Sequence, residues 1–405
     1  MNKKKIINDP VYGFITIQND LIYDLINHPW FQRLRRIKQL GLTDYVYPGA
    51  LHTRFHHALG AMHLMQETLD NLRQKGIEIS DAEYEGSLIA ILLHDIGHSP
   101  FSHALENVLI SSINHEEMSA LIMDELNIQF NHALDLAITI FKNQYQRKFF
   151  NQLVSSQLDI DRLDYLNRDS FFTGVSEGKI GSERIIKLLT VFEDELVIEE
   201  KGIYSIENFL SSRRLMYWQV YLHKTTVAVE QMLVQIIRRA KELPEEGKVG
   251  EELEYFLRNN VDISGIKKNP EILDYYTFLD DVDIFGAVKT WTKSGDFVLR
   301  KFCNLLLDRH LLKVKFFEKK VDKKEIERVI RKMDTLPIPK EFLHYFVITG
   351  EKTNAAYVAG DHQIKVLTKK NKTVDIAQAS DLPNIKAMRK IVKKYYLCWP
   401  KSLIL

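Results

Sequence analysis

Apolar side chains recur at three- and four-residue intervals along most of this chain, which predicts helices, and alternate with polar ones in only a few short stretches, which predicts strands. Residues 10–18 read as a turn and a short strand. Helical spacing is strong from Pro29 to Leu40, where a proline suits the first turn, and again from about Arg54 to Leu72. Ser80 and Glu83 have the spacing of a capping box and predict the start of a helix that runs through Leu88 to Leu93, with Gly97 as its stop. Helices continue through 115–170. Glu193 to Tyr204 predicts a hairpin turning at Lys201 and Gly202, and a long helix follows over about 205–241. Residues 242–250 form a polar linker, and more helix fills 251–335. From about Phe342 the texture changes. Tyr345 to Thr349 and Gln363 to Thr368 alternate like strands, with Lys369 to Lys372 as a turn. The pattern predicts a mainly α protein, with a helical core over 1–340 and a small α+β lobe over 341–405.

The run Leu88 to Leu93 is wholly apolar, yet it delivers His94 and Asp95 side by side at its end. A buried carboxylate without a partner is costly or takes up a proton, and a bound cation removes that cost. Of the chain's 14 histidines, eight (His52, His56, His57, His63, His94, His98, His103 and His115) fall between residues 52 and 115. An even spread would put about two there. A mononuclear site needs three or four N/O donors from separate elements. His57 on the second helix, the His94–Asp95 doublet and Asp161 near the start of a later helix supply that set.

Composition narrows the class without adding chemistry. At 405 residues, with 45% apolar and 27% charged side chains, the chain suits a soluble globular protein with a large core. A net charge of +1 gives no general attraction to polyanions, so nucleic-acid binding is not expected, and the basic runs 313–324 and 390–394 read as surface charge. Cys303 and Cys398 do not suggest a disulfide framework. No signal-like segment or membrane-length apolar run stands in the sequence, and a cytoplasmic location is expected.

The order His57, His94–Asp95, Asp161 resembles the ligand logic of the HD-domain metal phosphohydrolases. Longer segments (31–41, 47–60, 94–103, 161–169 and 221–224) resemble the deoxynucleoside-triphosphate triphosphohydrolase branch of that superfamily, the sterile-alpha-motif/HD-like enzymes. The resemblance covers about residues 8–240, and beyond about 250 it is weak. It implies an HD-domain helical core with the metal motif over 50–170, a nucleotide-pocket helix over 205–241, and His57, His94, Asp95 and Asp161 as ligands of one divalent or transition ion (Mn, Fe, Zn, Ni or Mg). It also implies His115 as a catalytic histidine tuned by Glu106, with His98 and His103 lining the phosphate pocket. Gln39 and Arg54 would meet sugar edge and phosphate.

Two stripes fit a nucleotide. Asp161, Tyr165 and Asp169 recur every four residues on one helix face, as do Arg213, Tyr217 and Tyr221, with Lys224 one turn on. The cations suit a triphosphate and the rings a base or sugar. By the resemblance, Tyr165 and Asp169 meet the sugar, and Tyr217 stands where relatives carry a histidine. Asn27, Gln32 and Arg35 correspond to an activator site. Asn27 replaces an aspartate that reads guanine, so the activator is expected to differ or activation to be absent. The expected reaction is hydrolysis of deoxynucleoside triphosphates to deoxynucleoside and triphosphate by a homo-oligomer (dimer or tetramer). The alternatives are an HD phosphohydrolase acting on nucleoside monophosphates or cyclic nucleotides, and a nucleotide-binding sensor or assembly protein with vestigial activity. Gly97-His98 and Ser99-Pro100 after the doublet argue against cyclic-dinucleotide and alarmone hydrolases.

Overall fold

The computed structural model describes residues 5–17, 19–110, 114–243, 249–333, 336–354, 357, 363–383, 385, 388 and 391–401, without the side chains of His103 and Asn107. It is mainly helical. Nine helices matter for the site and are labelled α1 (Arg54–Gln74), α2 (Asp81–Leu93), α3 (Ser102–Leu109), α4 (His115–Gln129), α5 (Ile160–Thr173), α6 (Ile203–Met216), α7 (Lys224–Glu242), α8 (Glu271–Phe278) and α9 (Asp281–Trp291). Helix α2 is the hydrophobic axis. The Ser80 side chain accepts the Glu83 N–H while Glu83 reaches back to Ser80, and every residue from Gly86 to Leu93 is buried. Helix α1 packs against α2 and α5 packs against α1, which brings the three segments carrying the candidate ligands together.

The strands are short and peripheral. β1 (Lys5–Asp9) and β2 (Gly13–Ile17) form an antiparallel hairpin. β3 (Leu189–Phe192), β4 (Glu195–Glu199), β7 (Lys365–Leu367) and β8 (Thr373–Asp375) form one sheet, in which β4 and β7 run parallel. β5 (Lys313–Phe317), β9 (Val392–Trp399) and β6 (Ile348–Asn354) form another. Both sheets join strands from either side of residue 340, because the C-terminal strands complete their backbone hydrogen bonding on β4 and β5.

Several local expectations are corrected. The strand at 13–17 is one arm of a hairpin whose other arm, β1, the pattern did not show. The helix expected from Pro29 to Leu40 is one short turn (Pro29–Gln32) followed by a tighter turn (Arg33–Arg36), because Arg33 is drawn into the core. The hairpin turns at Glu193 and Asp194, both at positive φ (51° and 61°), and Lys201-Gly202 leads into α6 instead. The helix expected over 205–241 is α6, a π turn at Tyr217–Tyr221, and α7. Strand β5 interrupts the helices of 251–335, and the strand expected at Tyr345 begins at Ile348. Part of the expected 242–250 linker (residues 244–248) lies outside the described residues.

Candidate metal centre and its pocket

His57 sits in the first turn of α1, just after the Thr53 cap, and Asp161 in the first turn of α5, just after the Asp159 cap. Asp159 fixes the start of α5 by accepting the Arg162 N–H at 2.8 Å. His94 ends α2, whose apolar run carries it inward. The donors converge: His57 Nε2 is 3.1 Å from Asp161 Oδ1 and 3.4 Å from His94 Nε2. His94 Nε2 is 3.5 Å from Asp161 Oδ1 and 3.4 Å from Asp95 Oδ1, and Asp95 Oδ2 is 3.7 Å from His57 Nε2. Ligands about 2.1 Å from a common cation stand roughly 3.0–3.5 Å apart, so His57, His94 and Asp161 fit one ion, with Asp95 at the edge of the set and shared with His98.

Both imidazoles are aimed by their other nitrogen. His57 Nδ1–H donates to Asp164 Oδ2 at 2.7 Å, and His94 Nδ1–H to the Ile91 carbonyl at 2.6 Å, which leaves each Nε2 lone pair facing inward. Asp164 is itself held by two Arg168 nitrogens at 2.9 Å, and Arg168 reaches Asp9 at 2.7 Å. Burial opposes charge on His57, but hydrogen bonds and charge from Asp161 and Asp164 outweigh it and push the imidazole up to about 10. Burial likewise opposes ionisation of Asp161, and His57 and His94 hold it well below the usual carboxylate range. Buried donors under this much negative charge could hold a cation. Asp161 is the candidate ligand most open to solvent, with 27% of its side chain exposed, so the cleft opens on that side.

Asp95 also faces a second group. Its Oδ1 lies 3.3 Å from His98 Nδ1, and Arg54 holds its Oδ2 at 2.5 Å. His98 stacks on His115, with ring centroids 4.0 Å apart and planes 28° from parallel. Stacked rings direct their nitrogens side by side rather than toward one point, so this pair suits proton handling and anion contact better than chelation. His115 Nδ1–H donates to Glu106 Oε1 at 2.8 Å, and the same oxygen accepts the His115 backbone N–H. Burial works against the imidazolium, yet that hydrogen bond and the charges of Asp95 and Glu106 raise His115 above the ordinary histidine value. Gly97 does not stop α2. It lets the loop after the doublet lie against α4, where an added Cβ would stand 2.2 Å from the Ser119 nitrogen and 2.5 Å from the His115 oxygen.

The two aromatic stripes meet. Tyr221 lies edge-on to Tyr165 at 6.2 Å and to Tyr217 at 5.2 Å. An α-helix overshoots a full turn by about 40° every four residues, so two such steps would rotate Tyr221 about 80° away from Arg213. The wider π turn at Tyr217–Tyr221 undershoots instead and cancels most of that drift. Arg213 is buried, with Nε and Nη1 unpartnered. Asp169 accepts from Tyr221 Oη at 2.7 Å and lies 2.7 Å from His52 Nε2, so both its oxygens are engaged within the protein.

Other expected residues sit differently. Arg54 does not present a free edge to the cleft: it is 1% exposed, bound to Asp95 and to Ser102 Oγ at 2.7 Å, with Nε buried. Gln39 is buried, with Oε1 unpartnered. Lys224 is exposed and begins α7 beyond the break at His223, off the Arg213–Tyr221 helix. Asn27 bonds back to the Tyr23 carbonyl, Gln32 to the Ile26 carbonyl, and Arg35 to Gln32. The His103 side chain lies outside the described residues. The sequence reading missed Asp164, Arg168, Asp9, His52 and Arg162. Only the Asp164–Arg168 spacing of four gave a local signal.

Comparison with known proteins agrees with this geometry. The HD domain matches residues 54–169, and the HD associated region matches residues 180–254. A crystal structure of a phosphohydrolase from Bacteroides thetaiotaomicron superposes with a TM-score of 0.94 at 49% identity, covering 98% of this chain and 100% of that one. The Bacillus subtilis protein YwfO is 37% identical over 77% of this chain and 72% of its own length. A deoxynucleoside triphosphate triphosphohydrolase SAMHD1 homolog from Dictyostelium discoideum is 31% identical over 62% of this chain, which spans about half (51%) of that protein. The matched HD segment runs from the residue that opens α1 to Asp169 and so contains His57, His94, Asp95 and Asp161. This chain belongs to the HD-domain family of metal-dependent phosphohydrolases.

Proposed function

We propose that this protein hydrolyses deoxynucleoside triphosphates to deoxynucleoside and inorganic triphosphate, by attack at the α-phosphorus. The observation that carries the reading is the buried Arg213, whose Nε and Nη1 have no partner, over the Tyr217 ring, which meets Tyr221 and through it Tyr165 of α5. Buried guanidinium nitrogens without an acceptor ask for an anion, and the rings near them ask for a flat or sugar-like group. The Dictyostelium relative, a deoxynucleoside triphosphate triphosphohydrolase homolog, points the same way.

A divalent cation, when bound, supplies Lewis-acid polarisation of a phosphoryl oxygen and activation of water. The chain's own residues do the rest. His57, His94, Asp95 and Asp161 hold the cation, the two carboxylates balancing its charge. His98 and His94, with Arg54 behind them, keep Asp95 ionised, and the Arg54 contact fixes its carboxylate. Glu106 holds His115 by Nδ1, which leaves Nε2 to offer a proton to a leaving oxygen. Arg213 binds a phosphate, and Tyr165, Tyr217 and Tyr221 contact base and sugar. Asp169 accepts from a sugar hydroxyl through lone pairs left over from His52 and Tyr221. We extend the proposal to a homo-oligomer in the cytoplasm. No helix among the described residues is long and apolar enough to cross a membrane.

The test is a turnover screen on metal-loaded protein. All four dNTPs, singly and mixed, are offered with Mn or Mg, beside His94→Ala and Asp95→Ala, and products are separated by chromatography. Deoxynucleoside and triphosphate, lost in both variants, supports the reading, and turnover only in mixtures adds an activator site. No turnover of any dNTP by metal-loaded protein refutes it.

A further inference from the structure

The loop that follows the His94–Asp95 doublet is gripped from a part of the chain outside both matched family segments. Arg33 is 1% exposed, and its guanidinium donates to three main-chain carbonyls: Leu279 at 2.5 Å, His98 at 2.9 Å and Ile96 at 3.3 Å. It forms no ion pair within 4.0 Å among the described residues and lies over the Tyr276 ring at 5.0 Å. Tyr276, at the end of α8, donates its hydroxyl to the Gly97 carbonyl at 2.6 Å. Three successive carbonyls, at 96, 97 and 98, are thus each held by a side chain from Arg33 or Tyr276. Asp281, in the first turn of α9, then accepts the Phe101 N–H through Oδ1 and the Lys38 N–H through Oδ2, both at 2.9 Å. Phe101 has φ 47°, a left-handed conformation that a bulky residue rarely adopts and that must be held from outside.

In a trans peptide the carbonyl and the following N–H point opposite ways. Fixing carbonyls 96 and 97 toward Arg33 and Tyr276 therefore sends the Gly97 N–H to Ser119 Oγ at 2.9 Å and the His98 N–H to the Asp95 carbonyl at 3.2 Å. Those bonds seat the loop on α4 and turn His98 onto His115. Holding Phe101 sets the start of α3, which carries Ser102 to Arg54 and Glu106 to His115.

We propose that Arg33, Tyr276 and Asp281 are positioning residues, a clamp on the main chain of residues 96–101 that sets the His98–His115–Glu106 group against the metal ligands. Burying a guanidinium among carbonyls, with Asp280 and Asp281 near it but no direct ion pair among the described residues, contributes little as stabilisation alone and fits a demand for placement. The inference rests on the phosphohydrolase assignment and not on the choice of nucleotide.

The test uses the full chain and two mild variants, Tyr276→Phe, which removes one hydroxyl, and Asp281→Asn, which leaves one acceptor for two donors. Histidine-selective 15N NMR needs no substrate. The clamp predicts displaced His98 and His115 resonances in both variants, with His57 and His94 little changed. Mn-loaded protein is then assayed on bis(p-nitrophenyl) phosphate, which needs no nucleotide pocket. The expected result is kcat down about tenfold, with KM and Mn affinity within about twofold. Unmoved His98 and His115 signals in both variants, or kcat loss matched by equal loss of Mn affinity, overturns the proposal. If the parent does not cleave this ester, the choice of substrate has failed and the NMR result alone decides.

Discussion

Asp164 is the residue whose replacement tests the metal centre most sharply, because it touches a proposed ligand and no substrate. Three donors converge on its carboxylate: His57 Nδ1 at 2.7 Å and two Arg168 nitrogens at 2.9 Å. In Asp164→Asn the amide keeps the shape but offers one oxygen, so its NH2 group must face either the imidazole or the guanidinium. Removing one partner of a buried pair typically destabilises by about 3–5 kcal/mol. The low end applies here, about 3 kcal/mol, because Asp9 still neutralises Arg168 at 2.7 Å. Loss of the carboxylate behind a ligand imidazole weakens metal binding by about 10- to 100-fold, or about 1.4–2.7 kcal/mol. The control is Asp9→Asn, which discharges the same arginine without touching His57. It should unfold more easily than the parent while binding metal within about twofold. Calorimetric titration with Mn and thermal unfolding of the metal-free proteins give both numbers. The reasoning is refuted if Asp164→Asn binds metal as tightly as the parent, or if Asp9→Asn weakens binding equally.

Four further outcomes follow from the same geometry. Gly60→Ala places a methyl 2.0 Å from Arg168 Nη2 and 2.1 Å from Asp164 Oδ1, so it should displace the carboxylate from His57 and reduce Mn affinity, read by the same titration. Gly97→Ala collides with main chain on α4 that cannot yield; a stability loss of about 1–3 kcal/mol and lost turnover are expected, checked by denaturant melts and activity. Glu106→Gln removes the group that chiefly raises His115, so the alkaline limb of the kcat–pH profile should move to lower pH. The sign follows from linkage: a raised histidine keeps its proton, and the stability that proton confers, below its ordinary value, and loses both as pH rises through the folded value. Ser80→Ala removes the cap of α2 and should cost about 1 kcal/mol by thermal unfolding, with metal affinity unchanged.

The local devices were legible because neighbours in sequence determine them. The capping box at Ser80 and Glu83, the apolar run into His94 and Asp95, and the four-residue recurrence of Asp161, Tyr165 and Asp169 all act within a turn or two of helix. The turn at Glu193 and Asp194 was misread because neither residue is a glycine, although both adopt positive φ. The π turn was invisible because regular spacing of Arg213, Tyr217 and Tyr221 reads as an ordinary helix face.

By itself the sequence determined which side chains could form a metal site and which helices would carry them, since ligand chemistry and helical periodicity are local properties. Only the tertiary structure decided which atoms face the cation. The choice of Nε2 over Nδ1 on His57 depends on Asp164, 107 residues away, and the Arg168 behind it depends on Asp9, 159 residues away. The same holds for Arg54, turned from the cleft onto Asp95, and for Arg33, which reaches Leu279 across 246 residues. Such contacts exist only once the packed core has closed the chain between them, so no pattern of neighbouring residues announces them.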